Sequence, residues 1–559
     1  MSYQEVYEKW LNSPVLDEEA KAELRGIDEE EKKDRFDSYL KFGTAGLRGL
    51  LGIGSRRMNI YTVRLATQAI ANVILNEGDA ARERGVAVAY DCRIMSREFA
   101  EEVCSVFAAN KIKSFCFNSL RPTPELSFAV RELSCFAGIN ITASHNPKEY
   151  NGYKVYWSDG AQIEEKQADA ILSFMNSLDI FEDVKIADAK TTANYRTELG
   201  EDFDNKYLEK VLAQRINEEV INEEKDMKIV YTPFHGTGYR LVPEILRRAG
   251  FENVICVEEQ MIPDGRFPTV KSPNPENKKS FEMAIKLAEK TGSELVIGTD
   301  PDADRVGVCV RDDKGEFVPL TGNQTGAILL EYLINARRHN GTLPKNACVV
   351  KTIVTSELGT RICEKNGVSI MNVLTGFKFI GEKMEMFEKT GEYTYLFGYE
   401  ESYGCLIGDY ARDKDAVVAS MMICETAAFY AKQGKTLWNA LEEIFKKYGY
   451  HSESVFNISM AGVGALEKMQ KFMKNLREHP AEKIGGIKVG EVLDFSEGIW
   501  GLPKSNVLYY RLVENSVVVV RPSGTEPKIK VYFMTNGKTR EEAESRVEAL
   551  RKDFCKQID

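Results

Sequence analysis

The sequence predicts an α/β protein built from several similar units and closed by a smaller α+β part. Three observations carry this. Apolar β-branched runs alternate with helix-period stretches along most of the chain, as β-α-β units do. Near residue 470 the pattern changes to successive strand-like runs followed by one terminal helix. At 559 residues the chain exceeds a single hydrophobic core, and at ~100–200 residues per domain it divides into about three to five.

Residues 17–37 are charged, with apolar positions at helical spacing, and predict a surface helix or two. A helix over 61–76, a strand over 85–90, a helix over 96–110, a strand over 113–117 and a helix over 125–133 follow, and the next apolar run leads into Ser144. A second unit starts with the strand 227–232, then a helix over 239–249, a strand over 253–257, a helix over 280–290 stopped by Gly292, and a strand over 294–298. A third has a helix over 323–338, a strand over 347–353, a helix after Ser356 and a strand over 369–374. The last has strands over 507–510, 516–520 and 528–534 and a helix over 540–558. We therefore divide the chain at 1–205, 206–320, 321–455 and 456–559.

The run Ile139-Asn140-Ile141-Thr142-Ala143-Ser144-His145-Asn146-Pro147 reads as a buried strand that ends in a turn forced by Asn-Pro. Such a loop can offer a nucleophile or hold a phosphate, and an ordinary turn with a satisfied serine has the same look. A serine hydroxyl needs a base or a charge cluster to activate it, and His145 and Lys154 are the nearest helpers in sequence.

A second strand ends in Thr299-Asp300-Pro301-Asp302-Ala303-Asp304-Arg305. Three carboxylates at alternate positions repel one another unless a cation sits among them. An EF-hand would need Gly where Arg305 stands and Glu where Arg311 stands, so that architecture is rejected. A haloacid-dehalogenase phosphatase would place Thr two residues beyond Asp302-x-Asp304, where the chain has Val306. This weakens the phosphatase reading without removing it; the leading readings are a Mg²⁺ site or a solvated acidic turn, and Mg²⁺, which prefers hard oxygens, suits phosphate chemistry.

Other loops add to these. Lys41-Phe42-Gly43-Thr44-Ala45-Gly46-Leu47-Arg48-Gly49 can bring backbone N–H groups and a guanidinium to an anion, or be a plain flexible turn. Thr375-Gly376-Phe377-Lys378-Phe379 presents a lysine after a strand, and Gly398-Tyr399-Glu400-Glu401-Ser402-Tyr403-Gly404 presents adjacent carboxylates suited to sugar hydroxyls; either is equally readable as a solvated turn. Arg521-Pro522-Ser523-Gly524-Thr525 joins guanidinium, hydroxyls and glycine-exposed backbone in a candidate phosphate cradle. Gly434-Lys435-Thr436 and Gly537-Lys538-Thr539 mimic the end of a P-loop but lack its first glycine, having Phe429 and Tyr532 there.

Bulk composition narrows the classes. A net charge of −11 argues against nucleic acid or an anionic membrane as partner, so an anionic substrate must be met by local Arg and Lys. Eleven scattered cysteines with no CxxC pair, an N-terminus without a signal-type apolar core, and no apolar run near ~18 residues predict a reduced, cytoplasmic protein.

Taken together, Thr142-Ala143-Ser144-His145-Asn146-Pro147, Asp300-Pro301-Asp302-Ala303-Asp304-Arg305, Gly398-Tyr399-Glu400-Glu401-Ser402-Tyr403-Gly404 and Arg521-Pro522-Ser523-Gly524-Thr525 resemble the α-D-phosphohexomutase superfamily over nearly the whole chain. The DPDADR and GYEES variants are most similar to its bacterial phosphoglucomutase and phosphopentomutase branch. The resemblance implies three similar mixed α/β domains and a smaller C-terminal α+β domain around a central cleft, each donating one loop.

It further implies that Ser144 carries the transferable phosphoryl group and joins Asp300, Asp302 and Asp304 around one Mg²⁺. By the same resemblance Arg48, His145 and Lys154 serve the phosphoserine, Arg305, Glu400 and Ser402 bind the sugar, and Arg521, Ser523, Gly524 and Thr525 hold the substrate phosphate. Some relatives carry a histidine shortly after the sugar-loop serine. Here Tyr403-Gly404 stands there, and Lys378 is the candidate acid/base instead.

The implied reaction interconverts glucose 1-phosphate and glucose 6-phosphate through glucose 1,6-bisphosphate, in a monomer or homodimer. Phosphopentomutase or phosphomannomutase activity is the alternative within enzymes. A non-catalytic sugar-phosphate-binding protein is the alternative outside them, usually marked by loss of the serine or of a metal aspartate.

Overall fold

The computed structural model describes residues 2–44, 46–460, 465–523 and 528–556, and three of its four sheets share one plan. In the first, strands run in the order Leu47–Leu50, Tyr150–Trp157, Ala137–Ile141, Val86–Tyr90, Ser114–Phe117, Arg196–Leu199. The last four are mutually parallel, and Ala137–Ile141 pairs antiparallel with Tyr150–Trp157. In the second, Leu295–Thr299 lies parallel to Ile229–Thr232 and antiparallel to Val306–Arg311. In the third, Thr394–Tyr399 lies parallel to Ala347–Thr352 and antiparallel to Cys405–Ile407.

In each case a buried parallel strand turns back on itself, and the turn is one of the motif loops: 142–149, 300–305 and 400–404. The fourth sheet is antiparallel throughout, and its hairpin of Val517–Pro522 with Lys528–Gly537 carries the Arg521 loop. Gly524 and Thr525 lie outside the described residues.

The expected helices and strands are present among the described residues, most with ends displaced by a residue or two. Strand Lys528–Gly537 runs past its expected end at 534, the terminal helix is Arg540–Cys555, and residues 557 and 558, expected to be its last, lie outside the described residues. What periodicity missed is informative. Helix Ala416–Ala431 is buried almost all round, between helices Gly238–Ala249 and Gly322–His339, so it has no polar face to betray it. Its one acid, Glu425, is fully buried and satisfied: Oε1 accepts from Tyr332 Oη at 2.7 Å and from the backbone N of Ile216 and Asn217, each at 3.0 Å. The charged region near 468–490 is a helix, Ala465–Glu478, followed by strands Lys483–Ile484 and Ile487–Asp494.

At the N-terminus, helices Tyr3–Leu11, Glu18–Arg25 and Glu29–Phe36 begin at caps whose side chains accept from backbone N–H: Ser2, Asp17 and Asp28. They bury Trp10 edge-on against Phe36, Tyr61 and Phe181. Our division of the chain into units stays a proposal, since helix Glu201–Leu212 and strand Tyr450–Ser459 run through the junctions at 205 and 455. No helix among the described residues is long and apolar enough to cross a membrane.

Candidate active site

The turn after Ala137–Ile141 puts Ser144 in the left-handed region at φ 51°, a strained conformation for a residue with a Cβ. The Thr142 hydroxyl accepts from its N–H at 2.8 Å, and the side chain is buried. Ser144 Oγ donates to Asp300 Oδ2 at 2.7 Å, across to the second sheet, and lies 3.2 Å from His145 Nδ1. Burial, with Arg305 and Arg48 nearby, holds the His145 imidazole well below its ordinary pKa and therefore neutral near pH 7.

Arg48 and Lys154 reach the same place because their strands pair: Leu47–Leu50 runs antiparallel to Tyr150–Trp157, with Arg48 opposite Gly152. The glycine-rich loop before it needs its glycine. At Gly46, φ 71°, a Cβ would fall 1.8 Å from the Tyr153 carbonyl oxygen. Arg48 Nη1 donates to Asn146 Oδ1 at 3.4 Å.

Asp300, Asp302 and Asp304 are buried with a carboxylate oxygen from each within 4.8 Å of the others. Asp300 Oδ1 accepts from the backbone N of Asp304 at 3.1 Å and of Arg305 at 3.0 Å, which closes the loop on itself. Lys154 Nζ donates to Asp302 Oδ2 at 2.7 Å and Asp304 Oδ2 at 3.4 Å, and the Thr123 hydroxyl donates to Asp302 Oδ2 at 2.8 Å.

Burial and the two neighbouring carboxylates push the Asp300 pKa well up. Burial acts on Asp302 too, but the Lys154 ammonium outweighs it and holds that carboxyl below its ordinary range. Asp302 Oδ1 and Asp304 Oδ1 are buried and have no hydrogen-bond partner. Two orphaned oxygens in a three-carboxylate cluster fit a metal ion. Removing one partner of a buried pair such as Lys154–Asp302 leaves the other charge unmet, at a cost of about 3–5 kcal/mol.

Sequence reasoning missed several contributors. Lys414 Nζ lies 3.1 Å from Asp304 Oδ2 and 3.0 Å from Asp413 Oδ1, delivered by Arg412-Asp413-Lys414-Asp415 just before the buried helix. The signal was there: four charges in a row against an apolar helix call for buried partners. The loop 233–238, between strand Ile229–Thr232 and helix Gly238–Ala249, braces the metal loop. Thr237 N donates to Pro301 O at 2.8 Å, and a Cβ on Gly236 would come within 2.4 Å of Pro301 Cα.

The sugar and phosphate residues are tied less tightly. Arg305 Nη1 bonds Glu276 Oε1 at 2.9 Å. Glu400 Oε1 accepts from Gly376 N at 3.1 Å, and Glu400 sits in the field of Lys414 and Arg305. Ser402 is half-buried on the same turn. Burial and the Glu400 charge push the Glu401 carboxyl up to about 7, while Lys530 and Arg521 oppose that rise. Arg521 lies opposite Lys530 on the paired strand, and Ser523 N donates to Lys528 O at 2.8 Å. Lys378 stands apart from the carboxylate contacts: Nζ lies 4.7 Å from the Phe379 ring centroid, and burial lowers its pKa against the pull of Glu165, Glu164 and Glu382.

Comparison with known proteins agrees along the chain. Models of the phosphoglucomutase/phosphomannomutase family match in order: alpha/beta/alpha domain I over residues 39–180, domain II over 205–315, domain III over 321–448 and the C-terminal domain over 481–552. A phosphoglucomutase from Staphylococcus haemolyticus is 35% identical over 524 residues, covering 90% of this chain and 91% of that protein. One from Staphylococcus aureus strain MSSA476 is 34% identical over 533 residues, covering 93% and 94%. The crystal structure of parafusin, a phosphoglucomutase from Paramecium, superposes with a TM-score of 0.68 at 19% identity, covering 93% of this chain and 94% of that one, which shows a shared fold. By its four domains, in this order and at this coverage, the chain belongs to the phosphoglucomutase/phosphomannomutase family.

Proposed function

We propose that this protein is a phosphosugar mutase that interconverts glucose 1-phosphate and glucose 6-phosphate, with Ser144 as the residue that gives and takes the phosphoryl group. The observation that carries this reading is the Ser144 hydroxyl, held 2.7 Å from a buried carboxylate cluster with two unpartnered oxygens and flanked by Lys154 and Lys414. A solvated turn would have no use for that arrangement.

Asp300, Asp302 and Asp304, with the Ser144 oxygen, would hold Mg²⁺, which when bound supplies positive charge against the transferring phosphoryl oxygens. Arg48, Lys154 and Lys414 supply fixed charge on the same side. The ammonium groups of Lys154 and Lys414 have raised pKa values, held up against burial by Asp302 and Asp304 for the first and by Asp304 and Asp413 for the second. They therefore stay protonated and act as charges rather than bases. Arg305, Glu400 and Ser402 would bind the sugar, and Arg521, Ser523, Gly524 and Thr525 the phosphate that is not reacting.

Lys378, whose pKa burial lowers, is our candidate to carry the proton of the attacking hydroxyl. Transfer from Ser144 to a sugar hydroxyl gives glucose 1,6-bisphosphate. That intermediate turns over and returns its other phosphoryl group to Ser144. All four loops come from one chain, so a monomer suffices and a homodimer adds nothing the chemistry requires.

The test is a coupled assay with glucose 1-, mannose 1- and ribose 1-phosphates alongside intact mass. Turnover fastest with glucose 1-phosphate, and a fraction of protein heavier by one phosphate, supports the reading. A faster rate with mannose or ribose reassigns the substrate, and no turnover with any of them leaves a binding protein.

A further inference from the structure

The Ser144 loop is gripped from behind by a residue that sequence analysis passed over. Arg93, at the end of strand Val86–Tyr90, has a fully buried side chain. Its Nη1 donates to the carbonyl oxygens of Pro147 at 2.9 Å and Tyr150 at 3.0 Å, and its Nη2 to those of Ser144 at 2.5 Å and of Asn146. Four carbonyls of one turn thus converge on one guanidinium. A planar fork of N–H donors can meet them together, and an ammonium cannot.

Arg93 is itself fixed. Its Nε lies 3.3 Å from Asp91 Oδ2, while Asp91 Oδ1 accepts from Arg93 N and from the Ser96 hydroxyl, each at 2.8 Å. The Phe267 ring, from the second unit, lies over the guanidinium at 5.1 Å. The loop that carries Phe267 is bound to the brace behind the metal loop. Asp264 N donates to His235 O at 3.3 Å, His235 Nε2 is 2.9 Å from the Thr269 hydroxyl, and two residues on Thr237 N holds Pro301 O. A line of packed backbone therefore runs from the Ser144 turn through Arg93 and Phe267 to the Asp300 turn.

We propose that Arg93 is a positioning residue that, clamped beneath Phe267, holds the Ser144 turn in its left-handed conformation so that Oγ faces Asp300 and the incoming sugar hydroxyl. It touches main-chain carbonyls rather than reacting atoms, so its loss misplaces the serine without removing a substrate contact. The inference rests on the reading of Ser144 as phosphoryl carrier. A misplacement of about 1 Å at a reacting centre costs on the order of a hundredfold in rate.

The experiment measures kcat and KM with glucose 1-phosphate, per folded molecule, for Arg93→Ala, Arg93→Lys, Phe267→Ala and the control Ser144→Ala. Phosphoserine content after incubation with glucose 1,6-bisphosphate is read in parallel. Arg93→Ala is expected to lose about a hundredfold in kcat with KM changed less than about threefold, and to regain about tenfold with millimolar guanidinium but not with methylammonium. Arg93→Lys should fall between, and Phe267→Ala should lose roughly tenfold in kcat alone.

A folded Arg93→Ala with wild-type kcat, or with its loss entirely in KM, overturns the proposal, as does a loss that guanidinium does not relieve. If Arg93→Ala does not fold, Phe267→Ala decides: lowered kcat at constant KM supports the clamp, and unchanged kcat overturns it. An active Ser144→Ala removes the parent reading. An inactive Ser144→Ala beside a fully active Arg93→Ala removes only this one.

Discussion

The serine and metal end of the site and the sugar and phosphate end are built to different standards. Around Ser144 and the three aspartates, side chains are buried and bonds cross from one sheet to the next: Ser144 to Asp300, Lys154 and Thr123 to Asp302, Lys414 to Asp304. At the other end Glu400 is buried, but Arg305, Glu401, Ser402 and Arg521 are half-buried. The difference follows from what each end must do. The reacting serine benefits from one fixed geometry, because positioning paid for at folding is not paid again in the transition state. A substrate that must turn over needs a looser grip at the other end.

The comparison can be broken most sharply at Ser144. Ser144→Ala should reduce kcat/KM by several powers of ten and abolish the phosphorylated species in the intact mass, and a variant with ordinary turnover would end the assignment. Next in size is the metal. Chelation by EDTA should stop turnover and Mg²⁺ restore it. Mg²⁺ should also raise the thermal midpoint of the metal-free protein, by about 2.7 kcal/mol of stability at a hundred times its Kd. An unchanged melting curve, with or without Mg²⁺, would mean that Lys154 and Lys414 alone neutralise the cluster.

Lys378→Ala should cost about a hundredfold or more in kcat if it carries the proton, whereas a loss under about threefold makes it a bystander over Phe379. At the looser end, Arg521→Ala should cost about tenfold to a hundredfold in kcat/KM, with Lys recovering part of it, since a point charge cannot reproduce the fork. Steady-state kinetics on both variants decide it, and an unchanged kcat/KM would take the C-terminal loop out of the site.

The smallest effect concerns pH. With its carboxyl raised to about 7 by burial and the Glu400 charge, Glu401 is charged above that pH and neutral below it, so if it joins Glu400 in accepting from a sugar hydroxyl, that acceptor fades as pH falls. KM should rise a few-fold, of the order of one weakened hydrogen bond, between about pH 8 and 6, and Glu401→Gln should flatten that rise. A KM profile identical in wild type and Glu401→Gln would free Glu401 of the role.

The sequence by itself determined the α/β alternation, the four motif loops and the chemical identity of the charges at Ser144 and Asp300-Asp302-Asp304, because strand and helix periods and strings of like charge are local properties of a chain. Tertiary structure alone decided that three of the four motifs sit where a parallel strand turns back on an antiparallel neighbour and the fourth at an antiparallel hairpin, since strand direction depends on pairing between distant segments. Pairing also brought Arg48 beside Asn146, Lys414 beside Asp304 and Arg93 beneath the Ser144 turn. Nothing in the sequence around Arg93 distinguishes it from a surface arginine. Its role exists only where four backbone carbonyls, 51 to 57 residues along the chain, close around its guanidinium.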